Sequence, residues 1–119
     1  MTLSQAIHLG STLGKQLFGH TSSANGDSCV MGAIYQATGL NGIGELYAAY
    51  PELWAVGCCP IEDCQWHIPT LLECPFYPRV SQVMMHMNDF HHLSRQHIAD
   101  WLEEAAALRV PVVADEIFA

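Results

Sequence analysis

Two thiols with four residues between them, in Cys59-Pro60-Ile61-Glu62-Asp63-Cys64, are answered downstream by two imidazoles with four residues between them, in His86-Met87-Asn88-Asp89-Phe90-His91. Thiolate sulfur and imidazole nitrogen are the donors a tetrahedral zinc ion takes, and this order and spacing are those of a structural site with two Cys and two His ligands. The turn between Cys59 and Cys64 presents both sulfurs from one loop, with Pro60 restricting its approach. His86 near the end of a helix and His91 just beyond it can face the same point. Twenty-one residues separate Cys64 from His86, against about a dozen in compact fingers. The expected metal ligands are therefore Cys59, Cys64, His86 and His91, holding a structural zinc. Cys58 is an alternative to Cys59, and His92 to His91, while His67 and Cys74 stand in reserve. The competing reading is of buried cysteines and surface histidines, because free Cys is among the most buried residue types and seven His make chance spacings common. Asp89 is either an acceptor orienting an imidazole or a polar residue at a helix end, the second being the more ordinary role.

The elements that must position these residues are helical. Leu9, Leu13 and Leu17, with Leu3 and Ile7 beside them, predict a helix over 3–18, and Gly10 and Gly14 would let another backbone approach closely. A turn-rich loop at 21–27 precedes a second helix over 29–38, capped by Asp27 or Ser28 and ended by Gly39. A short helix is expected at 44–49, before Pro51. The segment 57–79 holds four prolines and four of the five cysteines, which makes it a loop or short hairpin and not a helix. Val80, Val83, Met84 and Met87 fall on one side of a helix over 80–88. Ile98, Trp101, Leu102 and Ala105 form the apolar face of another over 94–108, with Ser94 at its cap and Glu103-Glu104 outward. Residues 110–113 read as a short edge strand or an extended tail. Trp54, Trp66 and Trp101 are expected to anchor packing. The fold expected is mainly α: a small helical domain with a zinc-finger-like knuckle of two Cys and two His and little β structure. It spans 1–119 as a single domain with a helical N-terminal half at 3–50, a Cys/Pro-rich loop at 57–79 and C-terminal helices at 80–108.

Composition narrows the function. The chain has 119 residues, half of them hydrophobic, enough for one real core. Four Lys and Arg against twelve Asp and Glu give a formal charge of −8. Nucleic-acid binders neutralise phosphates with clustered cations, so a DNA-binding zinc finger is disfavoured and nucleic acid is not an expected partner. The charged fraction is only 13%, which suits a surface that meets a protein partner or self-associates. No apolar run approaches the ~20 residues of a membrane span, and the N-terminus lacks the basic flank and apolar stretch of a signal peptide. A cytoplasmic protein is expected, with cysteines that bind metal or are buried instead of forming a disulfide framework.

Catalytic readings are weaker. Two Cys and two His fill a tetrahedron, whereas zinc catalysis needs an open position. A metal-dependent hydrolase would need one ligand to be wrong, with Glu62 or Asp63 as its base. Cys29 sits where a helix N-terminus lowers a thiol pKa, the setting of a cysteine-dependent hydrolase, but no particular His is assignable as its base, and a small buried core residue is the simpler role. His86, Asn88 and His91 also invite an HNH-type nuclease reading, which the acidic balance opposes.

The run from His86 to Glu103 resembles a pattern found in small uncharacterised bacterial and phage proteins: His-Leu-Asn-Asp, any residue, His, then an aromatic, Ser or Thr, Arg, and Ile-Ala-Asp-Trp. Those proteins also carry an N-terminal helix, a Ser-Cys-x-x-Gly-Ala-x-Tyr segment and a Cys-Pro-x-x-x-Cys knuckle. Here these correspond to Leu3–Phe18, Ser28–Tyr35 and Cys59–Cys64, so the similarity spans most of the chain. Leu93 stands where the aromatic is usual, and the interval between Cys64 and His86 is expanded. The resemblance implies the metal site more than an activity. The function expected is that of a zinc-stabilised accessory or binding protein, phage-related, acting through protein–protein contacts and not as an enzyme.

Overall fold

The computed structural model describes residues 1–19, 21–23, 25–67 and 78–106, without the side chains of 105 and 106. Five α-helices, α1 (Leu3–Ser11), α2 (Val30–Thr38), α3 (Ile43–Ala49), α4 (Val80–Asp89) and α5 (Arg95–Ala106), are joined by loops, with a 3-10 turn at Pro51–Trp54. Among the described residues the only β structure is three isolated bridges, Gln16 with Ser28, Ser22 with Ser28, and Val56 with Arg79. The chain is mainly α with little β structure. Cys74, the expected edge strand at 110–113 and the end of the last expected helix lie outside the described residues.

Helix α1 is capped reciprocally at its start. The Gln5 N–H donates to the Thr2 hydroxyl at 3.1 Å, and the Thr2 N–H donates to Gln5 Oε1 at 2.8 Å. It stops at Ser11, seven residues before the helix expected over 3–18. The Ser11 and Thr12 hydroxyls take the carbonyls of His8 and Leu9 at 2.8 and 2.6 Å. The following segment is then captured by residues 26–28: Leu17 N–H donates to Ser28 O, Ser28 N–H to Lys15 O, and Lys15 N–H to Asp27 Oδ1. Bridge pairing wins over the leucine periodicity here. Leu9 and Leu13 consequently face solvent, 45% and 52% exposed.

Gly10 makes the α1–α2 crossing close, since a Cβ there would lie 2.0 Å from the Ala33 carbonyl oxygen. The N-cap of α2 is Cys29, whose Sγ accepts from the Gly32 N–H at 3.5 Å, not the expected Asp27 or Ser28. Gly39 ends α2 in the left-handed conformation, φ 71°.

The core collects Ile7, Val30, Ile34, Leu46, Leu53, Val80, Val83, Met84, Met87 and Ile98, all essentially solvent-free. The apolar side expected of α4 therefore faces inward, as do Ile98 and Leu102 of α5, joined by Ala99 and with Trp101 partly buried, while the side chain of Ala105 lies outside the described residues. Trp66 and Trp101 pack against this core. Trp54 carries the Arg79 guanidinium over its ring at 4.6 Å and meets the Tyr47 ring edge-on. The Cys/Pro-rich segment leaves and rejoins the body at one place. Gly57 N–H donates to Pro78 O at 3.0 Å and Val80 N–H to Ala55 O at 2.8 Å, so its two ends are pinned together at the start of α4.

Candidate metal centre

The pinned segment turns back on itself at Ile61–Trp66, where Cys59 N–H donates to Trp66 O at 2.9 Å and Cys64 N–H to Ile61 O at 3.0 Å. That turn lays Cys59 and Cys64 against the C-terminal end of α4, which supplies His86 from its last turn. His91 follows the helix, its backbone N–H still bonded to the His86 carbonyl at 3.3 Å. The ligand-type atoms of Cys59, Cys64, His86 and His91 all lie within 4.8 Å of one another. Cys64 Sγ is 3.1 Å from His86 Nε2, which is 3.1 Å from His91 Nε2. In a tetrahedron with zinc–sulfur about 2.3 Å and zinc–nitrogen about 2.05 Å, the corresponding edges are about 3.6 and 3.3 Å. The two observed edges are a few tenths of an ångström shorter than those, and with all four donor atoms within 4.8 Å of one another the group can hold a metal ion.

Backbone donors point at both sulfurs. The Trp66 N–H points at Cys64 Sγ at 3.4 Å, and the Ile61 N–H serves Cys59 in the same way. Each sulfur therefore receives a backbone donor two residues downstream. Burial opposes ionisation: it pushes the Cys59 thiol up to about 11, and neighbouring Cys64 and Cys58 add to the rise while the Ile61 N–H works against it. Burial also lowers the His86 pKa, with the His91 charge a second cause. A buried thiol that resists ionising alone and an imidazole held neutral are a poor pair of free ions. The neutral imidazole is the form a divalent cation binds, whereas at Cys59 the cation would have to displace the thiol proton to gain its thiolate.

The rings around the cluster are ordered. His86 lies between Trp66, stacked at 4.3 Å and 1° from parallel, and Phe90, at 5.2 Å and 10°. His91 meets both His86 and Phe90 edge-on. Phe90 is 71% exposed, so its ring forms an outer face of the centre.

Cys58 and His92 lie outside the cluster: the His92 ring, on a residue at φ 54°, packs tilted by 30° against Phe18 at 4.5 Å. His67 also lies outside, its Nδ1 bonded to the Cys59 carbonyl at 2.8 Å. Asp89 faces away from the imidazoles, accepting from Gly19 N–H at 2.9 Å and Asn88 Nδ2 at 2.7 Å. Glu62 and Asp63 are exposed on the turn. Cys29 is buried and caps α2, as its simpler role required.

A polar hub behind α4 went unread in the sequence. Asn88, with no exposed surface, accepts through Oδ1 from Val30 N–H and Gln16 Nε2 and donates through Nδ2 to the Leu17 carbonyl. This occupation removes it from the nuclease reading. Arg95, 6% exposed, donates to Ser28 O and Oγ, Ser11 O and Gly14 O at 2.7 to 3.3 Å. The Arg95 N–H bonds Gln16 Oε1, and Gln16 Nε2 reaches the Leu93 carbonyl. Burial lowers the guanidinium pKa, while Asp27 and then Cys29 act to raise it. The signal available in the sequence was the Asn-Asp…Ser-Arg string itself: polar residues whose spacing straddles a helix junction.

No protein-family model matches the chain, and searches of curated proteins and of solved structures give no match either.

Proposed function

We propose that this chain is a zinc-stabilised cytoplasmic binding module, related to phage proteins as its motif resemblance implies, acting through protein contacts and not through catalysis. The observation that carries the reading is the convergence of Cys59, Cys64, His86 and His91 within 4.8 Å. Two thiolates and two imidazoles are the donor set that selects zinc over oxygen-preferring cations, and four protein ligands leave no position for substrate or water. The ion would pin the 57–66 turn to α4, neutralising two sulfurs in a partly buried site.

The surface supports a partner role. Leu9, Leu13, Phe18, Ile43, Met85 and Phe90 are all at least 43% exposed. Of the four Lys and Arg, Arg95 is buried and Arg79 lies over Trp54, which leaves little to engage phosphates and favours a protein partner or a second copy over nucleic acid.

The test is the metal content of protein purified without added metal, repeated for Cys64→Ser and His86→Ala. About one zinc equivalent in the wild type is expected. Each variant should lose metal and most of its helical circular dichroism at 37 °C, since structural zinc contributes on the order of 10 kcal/mol in small domains. A metal-free wild type with full helicity at 37 °C would overturn the reading.

A further inference from the structure

We infer that Trp66 is the positioning residue of the metal centre, the group that sets the plane of His86 and so the direction of its Nε2. This inference rests on the proposed metal site.

Three observations meet at this residue. Its indole is 1° from parallel to the His86 imidazole at 4.3 Å. Its backbone N–H is directed at Cys64 Sγ at 3.4 Å. Its carbonyl accepts the Cys59 N–H at 2.9 Å. One residue thus contacts three of the four members of the cluster, two through its backbone and one through its ring.

The physical consequence follows from imidazole geometry. A histidine ligand binds along the lone pair in its ring plane, so rotation about Cβ–Cγ swings Nε2 off the metal. In many sites a hydrogen bond to the distal nitrogen blocks that rotation. Here the ring lies in a sandwich, Trp66 on one face and Phe90 on the other at 5.2 Å and 10°. Rotation would drive the imidazole edges into both neighbours. Phe90 is 71% exposed and follows the helix end, whereas Trp66 packs against the core, so Trp66 is the fixed wall. The clamp holds Nε2 at 3.1 Å from both Cys64 Sγ and His91 Nε2. The Trp66 backbone contacts persist in any substitution that keeps the turn, so a side-chain variant isolates the clamp.

Metal-free full-length protein is titrated anaerobically with cobalt(II), alone and against a competing chelator, for wild type, Trp66→Phe, Trp66→Leu and Trp101→Ala. Cobalt(II) reports ligand geometry through its visible ligand-field bands. Trp66→Phe keeps an aromatic wall and should bind close to wild type with a tetrahedral spectrum. Trp66→Leu keeps apolar bulk without a ring plane, and should bind about tenfold more weakly with shifted bands, the scale found when groups orienting a ligand are removed. Trp101→Ala, on α5, should lower thermal stability while leaving affinity and bands unchanged. Equal affinity and identical bands for the Phe and Leu variants would overturn the positioning role while leaving the metal centre standing. A wild type that takes up no cobalt(II) would overturn the metal reading, and this inference with it.

Discussion

His86 Nε2 lies 3.1 Å from Cys64 Sγ, although 22 positions separate the two residues in the chain. The two ends of the segment are pinned by Gly57 to Pro78 and Val80 to Ala55, so the knuckle is delivered to α4 whatever length of chain lies beyond it. This explains how an interval longer than that of compact fingers still brings the four residues together. Closing a longer loop adds little entropy, about 0.6 kcal/mol per doubling.

Arg95→Ala should destabilise the fold by about 3 kcal/mol or more, because it removes a charged donor from the buried Ser28 carbonyl and hydroxyl and from the part-buried Ser11 and Gly14 carbonyls. Arg95→Lys should recover only part of that loss, since an ammonium cannot reproduce the planar fork. Urea denaturation measures both. Because the hub bonds none of the four cluster residues, metal stoichiometry at low temperature should stay at the wild-type value. A variant as stable as wild type would contradict the account of the hub.

Two glycines separate steric from conformational requirements. At Gly10 an added Cβ would sit 2.0 Å from the Ala33 carbonyl oxygen, so Gly10→Ala should force α1 and α2 apart and cost about 2 kcal/mol or more. At Gly39 there is open space but φ is 71°, so Gly39→Ala should cost only about 1 kcal/mol. Thermal melts of the two variants under the same conditions check the order, which reverses if the α1–α2 crossing is looser than described.

At low temperature, where part of its helicity should survive without the ion, the metal-free protein should have a pH plateau bounded on both sides. The His86 pKa is lowered in the folded state, so its contribution is present above the ordinary histidine value of about 6.5 and is lost as pH falls through the lowered one. The Cys59 thiol is raised from 9.0 to about 11, so its contribution is complete below about 9 and is lost as pH rises through about 11. Urea midpoints measured in chelator from pH 5 to 11 test this. They should fall at both ends, and stability that increased from pH 7 to pH 5 would contradict the assigned environment of His86. With metal bound, acid acts by a second route, protons competing with the ion for thiolate and imidazole.

Much of this arrangement was legible before folding. The apolar sides of α4 and α5 follow from helical spacing, and Gly39 marks the end of α2 where a left-handed residue was needed. Cys59, Cys64, His86 and His91 are visible as a spacing, and their meeting depends on the pinned loop ends, which are not. The long first helix failed because its leucine stripe competes with pairing between residues 15–17 and 27–28, a contact that local periodicity cannot weigh. Trp66 and Phe90 were unreadable as a clamp because stacking joins a loop to a helix end across the fold. In the sequence Arg95 stood out only as one of four Lys and Arg. Its burial requires carbonyls from Ser11, Gly14 and Ser28, three positions that become neighbours only in the folded chain.

The central claim is tested most directly by X-ray absorption at the zinc edge, on full-length protein purified without added metal. The account predicts a four-coordinate ion with two sulfurs at about 2.3 Å and two nitrogens at about 2.0–2.1 Å, and the loss of one sulfur from any metal retained by Cys64→Ser. A wild-type coordination shell without sulfur, or one built largely from oxygen, would contradict it.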